Sequence, residues 1–184
     1  GNPIDSLPLP ARDLLRDRDF AAYRRRAVSM ITSRGCPNRC SFCSVRSVWG
    51  DRYLVRSADM VIAEIAECTE RFGADMINFE DDNLFASRER AVALLEGLIA
   101  FQESSGAQLD LAAMNGVSLE QMDDGIVALM RRAGFSEINL SLMTRSAALQ
   151  EAHGRPFDSD RFARAARAAR RLDMNVRAYF ILGL

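Results

Sequence analysis

Short apolar runs alternate with longer amphipathic segments along most of this chain, which has 184 residues. The apolar runs predict β-strands at residues 28–33, 76–81, 108–114, 136–143 and 175–182. The amphipathic segments predict α-helices at residues 57–72, 88–103, 119–133 and 159–172. Strands that alternate with helices in this way indicate right-handed βαβ units and a parallel sheet. The sequence therefore predicts an α/β fold, and its periodicity alone leaves open a doubly wound sheet or a barrel.

Local signals mark several of the expected helix boundaries. Ser57 and Ser87 stand where an N-cap is favoured, and Gly73 and Gly134 follow the last residues of two helices. These residues fix where the helical segments begin and end.

The two ends of the chain depart from this alternation. Residues 1–26 predict an irregular N-terminal arm or linker, and residues 27–184 predict one α/β domain. The last strand has no helix after it, which would leave a sheet edge unpaired. We therefore expect a fragment that is truncated after about strand five, with an arm that is the tail of a linker from another domain.

The composition of the chain excludes several classes of catalytic site and of partner. Apolar residues make up 48% of the chain, no apolar run approaches the length of a membrane span, and the net charge is −1. We expect a cytoplasmic protein with no membrane partner and no clear nucleic-acid signal. The basic residues are all arginine, which excludes a lysine Schiff base and a P-loop. His153 is the only histidine, which disfavours a serine hydrolase or a multi-histidine metal site.

Three cysteines lie close together directly after the first predicted strand. Cys36, Cys40 and Cys43 have the spacing Cys-x3-Cys-x2-Cys, and Gly35 and Pro37 favour a loop on which the three side chains can converge. Three thiolates on one short loop can hold three corners of a four-iron four-sulfur (4Fe-4S) cluster and leave the fourth iron open to another ligand.

The alternative for these cysteines is a structural zinc site. Cys68 or His153 would then supply the fourth ligand. Structural zinc usually uses paired Cys-x2-Cys motifs, and the second pair is missing here. Cys68 itself is most simply a small, partly buried helix residue.

With Phe42 directly before its last cysteine, the loop resembles the signature of the radical S-adenosylmethionine (SAM) superfamily. The resemblance implies a partial parallel (β/α) barrel of the TIM-like, radical SAM type, with its chemistry at the carboxyl ends of the strands. It implies that Cys36, Cys40 and Cys43 bind a 4Fe-4S cluster and that Phe42 lines the adenine pocket. SAM would chelate the open iron. One electron from a low-potential donor such as flavodoxin or ferredoxin would cleave it to methionine and a 5′-deoxyadenosyl radical.

A run of polar residues ends the second predicted strand, as Glu80, Asp81, Asp82 and Asn83. Neighbouring strand residues point to opposite faces, so either Asp81 or the pair of Glu80 and Asp82 should face the interior. The resemblance implies that this element binds the methionyl end of SAM, because a carboxylate can accept hydrogen bonds from its α-ammonium group. The alternative is an N-cap and turn before the next helix.

Weaker candidates follow on later strands. By the resemblance, Ser141 would reach a ribose hydroxyl, although Met143 stands where many relatives carry a glutamate. Arg155, in Gly-Arg-Pro, would pair with a ligand carboxylate or cap a carbonyl. The side chains expected to line the cavity from other strands are Asn115, Arg177 and Tyr179, and we expect His153 at the surface or in a turn.

The runs Ser-Arg-Gly-Cys-Pro, Phe-Glu-Asp-Asp-Asn and residues 49–56 resemble the cobalamin-binding-domain-containing subgroup of the superfamily. This implies a cobalamin-dependent methyltransferase or rearrangement enzyme that acts on a small-molecule substrate, with cobalamin held by a domain absent from this chain. The alternatives are a methylthiotransferase-like radical enzyme and a non-catalytic iron–sulfur or zinc scaffold.

Overall fold

The predicted alternation of strands and helices is present in the structure, a computed structural model that describes residues 4–22, 25–155 and 158–183. The strands are β1 (Ala21–Ala22), β2 (Arg25–Met30), β3 (Ser33–Arg34), β4 (Leu54–Val55), β5 (Met76–Phe79), β6 (Asp110–Ala112), β7 (Glu137–Met143) and β8 (Asn175–Phe180). The helices are α1 (Val45–Trp49), α2 (Ala58–Phe72), α3 (Arg88–Ser105), α4 (Asp124–Ala133), α5 (Ala147–Ala152) and α6 (Ser159–Arg171).

The sheet is largely parallel. β5 lies between β2 and β6 and pairs in parallel with both, and β7 pairs in parallel with β8. Two single parallel bridges, Leu111 to Phe135 and Val117 to Leu140, connect the first set of strands to the second. This confirms an α/β fold. Within the described ranges β8 does not pair back to β2, so the sheet there is open.

The core lies between the sheet and its helices. Along β2, Val28 and Met30 are buried in this core, whereas Ser29 between them is exposed. Ile77 on β5 and Ile138 on β7 face the same core. This alternation leaves polar strand residues on the other face of the sheet, and all parallel strands end at the same edge.

The capping residues act as predicted. The hydroxyl of Ser57 accepts a hydrogen bond from the N–H of Met60, and Ser87 caps α3 in the same way. Gly73 and Gly134 end α2 and α4 in the left-handed conformation. These contacts satisfy backbone groups that a helix end leaves unpaired.

The N-terminal arm is more ordered than the prediction of an irregular segment. Residues of β1 pair antiparallel with β2, which begins at Arg25, and two 3-10 turns precede β1. Ile4 and Phe20 are buried, and Arg12 is buried against Glu64 of α2. The apolar side chains and this ion pair hold the arm on the domain. The division into residues 1–26 and 27–184 stays a prediction.

Several further boundaries differ from the prediction. The strand expected at 28–33 is β2, which ends at Met30, and a separate β3, while β5 ends at Phe79 and β8 at Phe180, each two residues early. The segment expected as one helix at 119–133 is a 3-10 turn, Leu119–Gln121, followed by α4, because Asp123 caps α4 through the N–H of Ile126. The strand expected at 108–114 is shorter, since only β6 pairs with β5 there. No helix in the described part of the chain is long and apolar enough to cross a membrane.

Candidate functional site

The loops after the parallel strands enclose a cavity of about 170 Å3. Its lining comes from the cysteine loop, from the segments after β5 and β6, from β7 and from the turn after α5. The lining residues are Cys36, Asn38, Cys40, Phe42, Cys43, Val45, Arg46, Asp82, Asn83, Asn115, Gly116, Val117, Ser118, Ser141 and Arg155. In open α/β sheets ligands bind at the carboxyl ends of the strands, which makes this cavity the candidate site.

Two short strands hold the ends of the cysteine loop together. β3 pairs antiparallel with β4, which brings together the two ends of the segment 35–53. Gly35 starts the loop with a φ of +86°, and a Cβ there would lie 2.1 Å from the carbonyl oxygen of Arg52. Only glycine tolerates this approach, so Gly35 lets the chain turn towards the cavity.

All three loop cysteines are free thiols that line the cavity. Cys40 is buried, Cys36 is half-buried and Cys43 is exposed. In the described residues, no three cysteine, histidine, aspartate or glutamate side chains converge as they would around one metal ion. A 4Fe-4S cluster differs from a single ion, because each thiolate binds a different iron and the sulfur atoms lie further apart.

Cys68 does not join these three thiols. Cys68 is a residue of α2 whose side chain is fully buried in the core and does not line the cavity. Burial raises the pKa of this thiol to about 11, as expected for an inert core cysteine. Cys68 is therefore not placed as the fourth ligand that the zinc alternative requires.

Two of the loop sulfurs face N–H donors from distant parts of the chain. The Asn83 side-chain nitrogen lies 3.6 Å from Cys36 Sγ, and an Arg155 guanidinium nitrogen lies 3.6 Å from Cys40 Sγ. Burial raises the pKa of Cys36, and hydrogen bonds from Asn38 and Asn83, together with the Arg155 charge, oppose that rise. Donors aimed at sulfur suit thiolates, which are acceptors and metal ligands.

The turn after α5 packs against the cysteine loop. The backbone N–H of Ser41 donates to the His153 carbonyl at 3.1 Å, and the Ser41 hydroxyl lies 2.7 Å from His153 Nδ1. Gly154 has a φ of +62°, and a Cβ there would meet the Arg39 carbonyl oxygen at 3.0 Å. His153 is in a turn as expected, but its contact with the loop was not predicted. Pro156 of the Gly-Arg-Pro element lies outside the described residues.

Asp81 faces away from the cavity. Its carboxylate accepts hydrogen bonds from the N–H of Thr32 at 3.1 Å, from the Thr32 hydroxyl at 2.8 Å and from the Ser33 hydroxyl. Burial raises the pKa of Asp81, and these hydrogen bonds oppose the rise. Through these hydrogen bonds Asp81, which follows β5, holds the residues that follow β2. Asp81 is not among the residues that line the cavity.

The other members of the polar run divide between two places. Asp82 and Asn83 line the cavity. Glu80 lies beside it, where the Asn115 side chain donates to the Glu80 carbonyl at 3.1 Å, and also borders a cavity of about 440 Å3 under the N-terminal arm. β5 ends at Phe79, so strand alternation does not govern these residues: Asp82 lines the cavity, whereas Glu80 and Asp81 do not. Ser87, not Asp82, caps the next helix.

Phe42, Asn115 and Ser141 line the cavity as expected, whereas the two candidates on β8 do not. Arg177 forms an ion pair with Glu137 at 3.1 Å, and the Tyr179 hydroxyl donates to the Met114 carbonyl at 2.9 Å. Ser118 lines the cavity and donates to the Asn83 side chain at 3.0 Å. The sequence offered no signal for Ser118, because a single serine after a short strand has no distinguishing pattern.

The family model of the Radical SAM superfamily matches residues 30–184, a range that includes the cysteine loop and every lining segment of the cavity. The chain belongs to the radical SAM superfamily. This confirms the family that the cysteine spacing predicted, and with it the expectation of an enzyme.

Curated relatives within this superfamily include methyltransferases. The chain is 27% identical over 191 residues to cytidylyl-2-hydroxyethylphosphonate methyltransferase of Streptomyces wedmorensis, with 98% of this chain and 35% of that protein covered. It is 30% identical over 137 residues to hopanoid C-2 methylase of Rhodopseudomonas palustris, with 74% and 25% covered. The chain spans about a third or less of the length of these relatives.

Solved structures share the radical SAM fold. TsrM from Kitasatospora setae, a radical SAM methyltransferase with cobalamin and a 4Fe-4S cluster bound, superposes with a TM-score of 0.77 at 20% identity, over 88% of this chain and 32% of that one. OxsB, a cobalamin-dependent SAM radical enzyme with aqua-cobalamin bound, gives 0.65 at 20% identity, over 84% and 23%. The subgroup that the sequence predicted is thus represented among the neighbours.

Proposed function

We propose that this chain is the core of a radical SAM enzyme, in which Cys36, Cys40 and Cys43 hold a 4Fe-4S cluster next to a SAM site in the adjoining cavity. One observation carries the proposal: the three thiols line a single cavity at the carboxyl ends of the strands, and N–H donors face two of the sulfurs. When reduced, the bound cluster supplies the electron that cleaves SAM to methionine and a 5′-deoxyadenosyl radical.

The other lining residues suit the parts of SAM. Asp82 offers a carboxylate to the α-ammonium group, and Arg155 offers a guanidinium to the carboxylate. Phe42 supplies an aromatic face beside the adenine, and Ser141 a hydroxyl for the ribose. Glu80 would not contact SAM itself. Its backbone carbonyl accepts a hydrogen bond from the side chain of Asn115, and it would thereby position Asn115, which lines the cavity. Asp81 would position the loop through Thr32 and Ser33, without touching the ligand.

We further propose that the open sheet is part of a (β/α) barrel with the strand order β2, β5, β6, β7, β8. Two single parallel bridges support this order: Leu111 of β6 pairs with Phe135 just before β7, and Val117 after β6 pairs with Leu140 of β7. The remaining barrel strands and a cobalamin domain would lie in a longer protein, as the lengths of the curated relatives suggest.

For that longer protein we propose cobalamin-dependent methyl transfer to a small molecule, with electrons from a low-potential donor such as flavodoxin or ferredoxin. The support is the methyltransferase names among the relatives and the cobalamin-containing neighbours TsrM and OxsB. The substrate would be bound by strand ends and domains beyond the cysteine-loop cavity.

The test is anaerobic reconstitution with iron and sulfide, followed by metal analysis and electron paramagnetic resonance (EPR) of the dithionite-reduced protein. We expect about four irons per chain and a reduced-cluster signal that changes when SAM is added, because the fourth iron is open. Changing Cys36, Cys40 or Cys43 singly to alanine should abolish the intact cluster.

Cys68→Ala is the matched control, because Cys68 is a core thiol that does not line the cavity, and this variant should retain its iron. Stoichiometric zinc in place of iron, four irons retained in any of the three loop variants, or an EPR signal that ignores SAM would contradict the proposal.

A further inference from the structure

Asn83 occupies a position that joins the cysteine loop to the segment after β6. Asn83 is only 4% exposed, and its backbone carbonyl accepts a hydrogen bond from the Tyr53 hydroxyl at 2.9 Å. Its side chain lies between Cys36 Sγ, 3.6 Å from Nδ2, and the Ser118 hydroxyl, 3.0 Å from Oδ1. Ser118 is itself buried. The family resemblance predicts that Asn83 contacts the methionyl end of SAM, whereas the amide of Asn83 contacts Cys36 and Ser118 in the structure.

The chemistry of the three groups fixes the direction of both hydrogen bonds. A metal-bound thiolate can only accept, and a side-chain amide has N–H donors at one end and an acceptor oxygen at the other. Nδ2 of Asn83 must therefore face Cys36, and Oδ1 must face Ser118. The serine hydroxyl can donate or accept, so it takes the donor role that Oδ1 requires. Without that hydroxyl, the amide loses the contact that holds its N–H on the sulfur.

We propose that Ser118 is a positioning residue that orients Asn83, and that the Asn83 N–H to Cys36 raises the reduction potential of the cluster. The inference rests on the proposed function, since it assumes that Cys36 binds the cluster. Hydrogen bonds to the sulfurs are among the factors that set the potential of an iron–sulfur centre. Reduction adds negative charge, and an N–H donor stabilises the more negative state more strongly. Residues behind the ligands commonly orient them and tune the metal in this way.

The experiment is an EPR-monitored redox titration of the reconstituted chain without SAM. Ser118→Ala should shift the midpoint to a more negative value, so that a fixed solution potential gives a few-fold smaller fraction of reduced cluster. Asn83→Leu removes the donor and should shift the midpoint at least as far in the same direction. Because Ser118 acts through Asn83, adding Ser118→Ala to Asn83→Leu should cause no further shift.

Two variants serve as controls. Ser118→Thr keeps the hydroxyl and should restore the wild-type midpoint. Tyr53→Phe removes a hydrogen bond to the backbone of Asn83 and leaves the amide pair intact, so its midpoint should stay near that of the wild type. Iron content and thermal unfolding are measured for each variant, and Ser118→Ala with Ser118→Thr suffices if Asn83→Leu does not fold.

The inference is wrong if Ser118→Ala leaves the midpoint unchanged, if its shift persists in the Asn83→Leu background, or if Tyr53→Phe shifts the midpoint equally. If the wild-type chain binds a SAM-responsive cluster and a variant gives one of these results, only the inference fails. If the wild-type chain binds no such cluster, the proposed function fails with it.

Discussion

The buried carboxylate of Asp81 connects the two strand ends behind the cysteine loop. It accepts hydrogen bonds from Thr32 and Ser33, which lead directly into Gly35 and Cys36. Arg90 of α3 donates to the carbonyl and hydroxyl of the same threonine. A charge that is buried and hydrogen-bonded on several sides fixes the geometry of its neighbours, which here are the first residues of the loop.

We predict that the stabilising effect of Asp81 depends on pH. Burial raises the pKa of Asp81 above its ordinary value of 3.8. A carboxyl group with a raised folded-state pKa contributes stability that is full below the unfolded-state pKa and is lost as the pH rises through the folded-state pKa. The free energy of unfolding of the wild type relative to Asp81→Asn should therefore fall as the pH rises from about 4 through the folded-state pKa, by about 1.4 kcal/mol for each pH unit that separates the folded-state pKa from the unfolded-state pKa. Denaturant unfolding at a series of pH values measures it.

Asp158→Asn is a control with the opposite sign. The Arg161 backbone N–H at the start of α6 lowers the pKa of Asp158. Its contribution is present above the unfolded-state pKa and is lost as the pH falls. The wild type relative to Asp158→Asn should therefore gain stability as the pH rises. A pH-independent difference for Asp81→Asn, or the same slope for both variants, would contradict the prediction.

At the scale of elements, the loop between β3 and β4 depends on one glycine that packs tightly. Gly35 and Gly50 both have a positive φ, at +86° and +66°. A Cβ at Gly35 would lie 2.1 Å from the Arg52 carbonyl oxygen, whereas a Cβ at Gly50 would meet nothing within 4 Å. Both positions require a positive φ, but a Cβ has free space only at Gly50.

We predict that Gly35→Ala disrupts the loop and that Gly50→Ala does not. Gly50→Ala should cost about 1–3 kcal/mol, because φ +66° with ψ −145° is a backbone conformation that is essentially restricted to glycine. Gly35→Ala also places a side chain at a positive φ and must in addition displace the backbone of Arg52, so it should lower both the free energy of unfolding and the iron content after reconstitution. Chemical denaturation and iron analysis of the two variants make the comparison. Equal iron content in both would show that the close approach at Gly35 is not needed to place the cysteines.

The elements that the sequence predicted are those with local signals. Ser57, Gly73 and Ser87 mark helix ends within a few residues of the pattern they bound, so the helices could be placed from the sequence. The cysteine spacing is local too, and it gave the site and the family. Contacts over long distances in the chain left no such signal: Ser41 and His153 are 112 residues apart, and Ser118 reaches Asn83 from a different loop.

At the scale of the whole molecule, a buried ion triad attaches the N-terminal arm to the domain. Arg12 of the arm lies 2.6 Å from Glu64 of α2, and Arg56 pairs with the other oxygen of the same carboxylate. The Arg12 and Glu64 side chains are only 8% and 1% exposed. Arg12 also donates to the Ser29 carbonyl of β2, so one side chain contacts both a helix and a strand of the domain.

We predict that Arg12→Ala destabilises the whole domain rather than only the arm. Arg12→Ala leaves one oxygen of the buried Glu64 carboxylate without its partner while Arg56 stays on the other, so the loss should be about 3 kcal/mol, the lower end of the range for a broken buried ion pair. Arg16→Ala is the matched control, since Arg16 pairs with Asp19 at 3.3 Å but is 68% exposed, and such a pair is worth about 0–1 kcal/mol. Denaturant unfolding followed by circular dichroism measures both losses, and limited proteolysis reports on the arm. If Arg12→Ala speeds cleavage within residues 4–22 and leaves the free energy of unfolding unchanged, the arm is an appendage whose folding is independent of the domain. A loss of about 3 kcal/mol in the single unfolding transition instead makes the arm part of the cooperative unit that carries the cysteine loop.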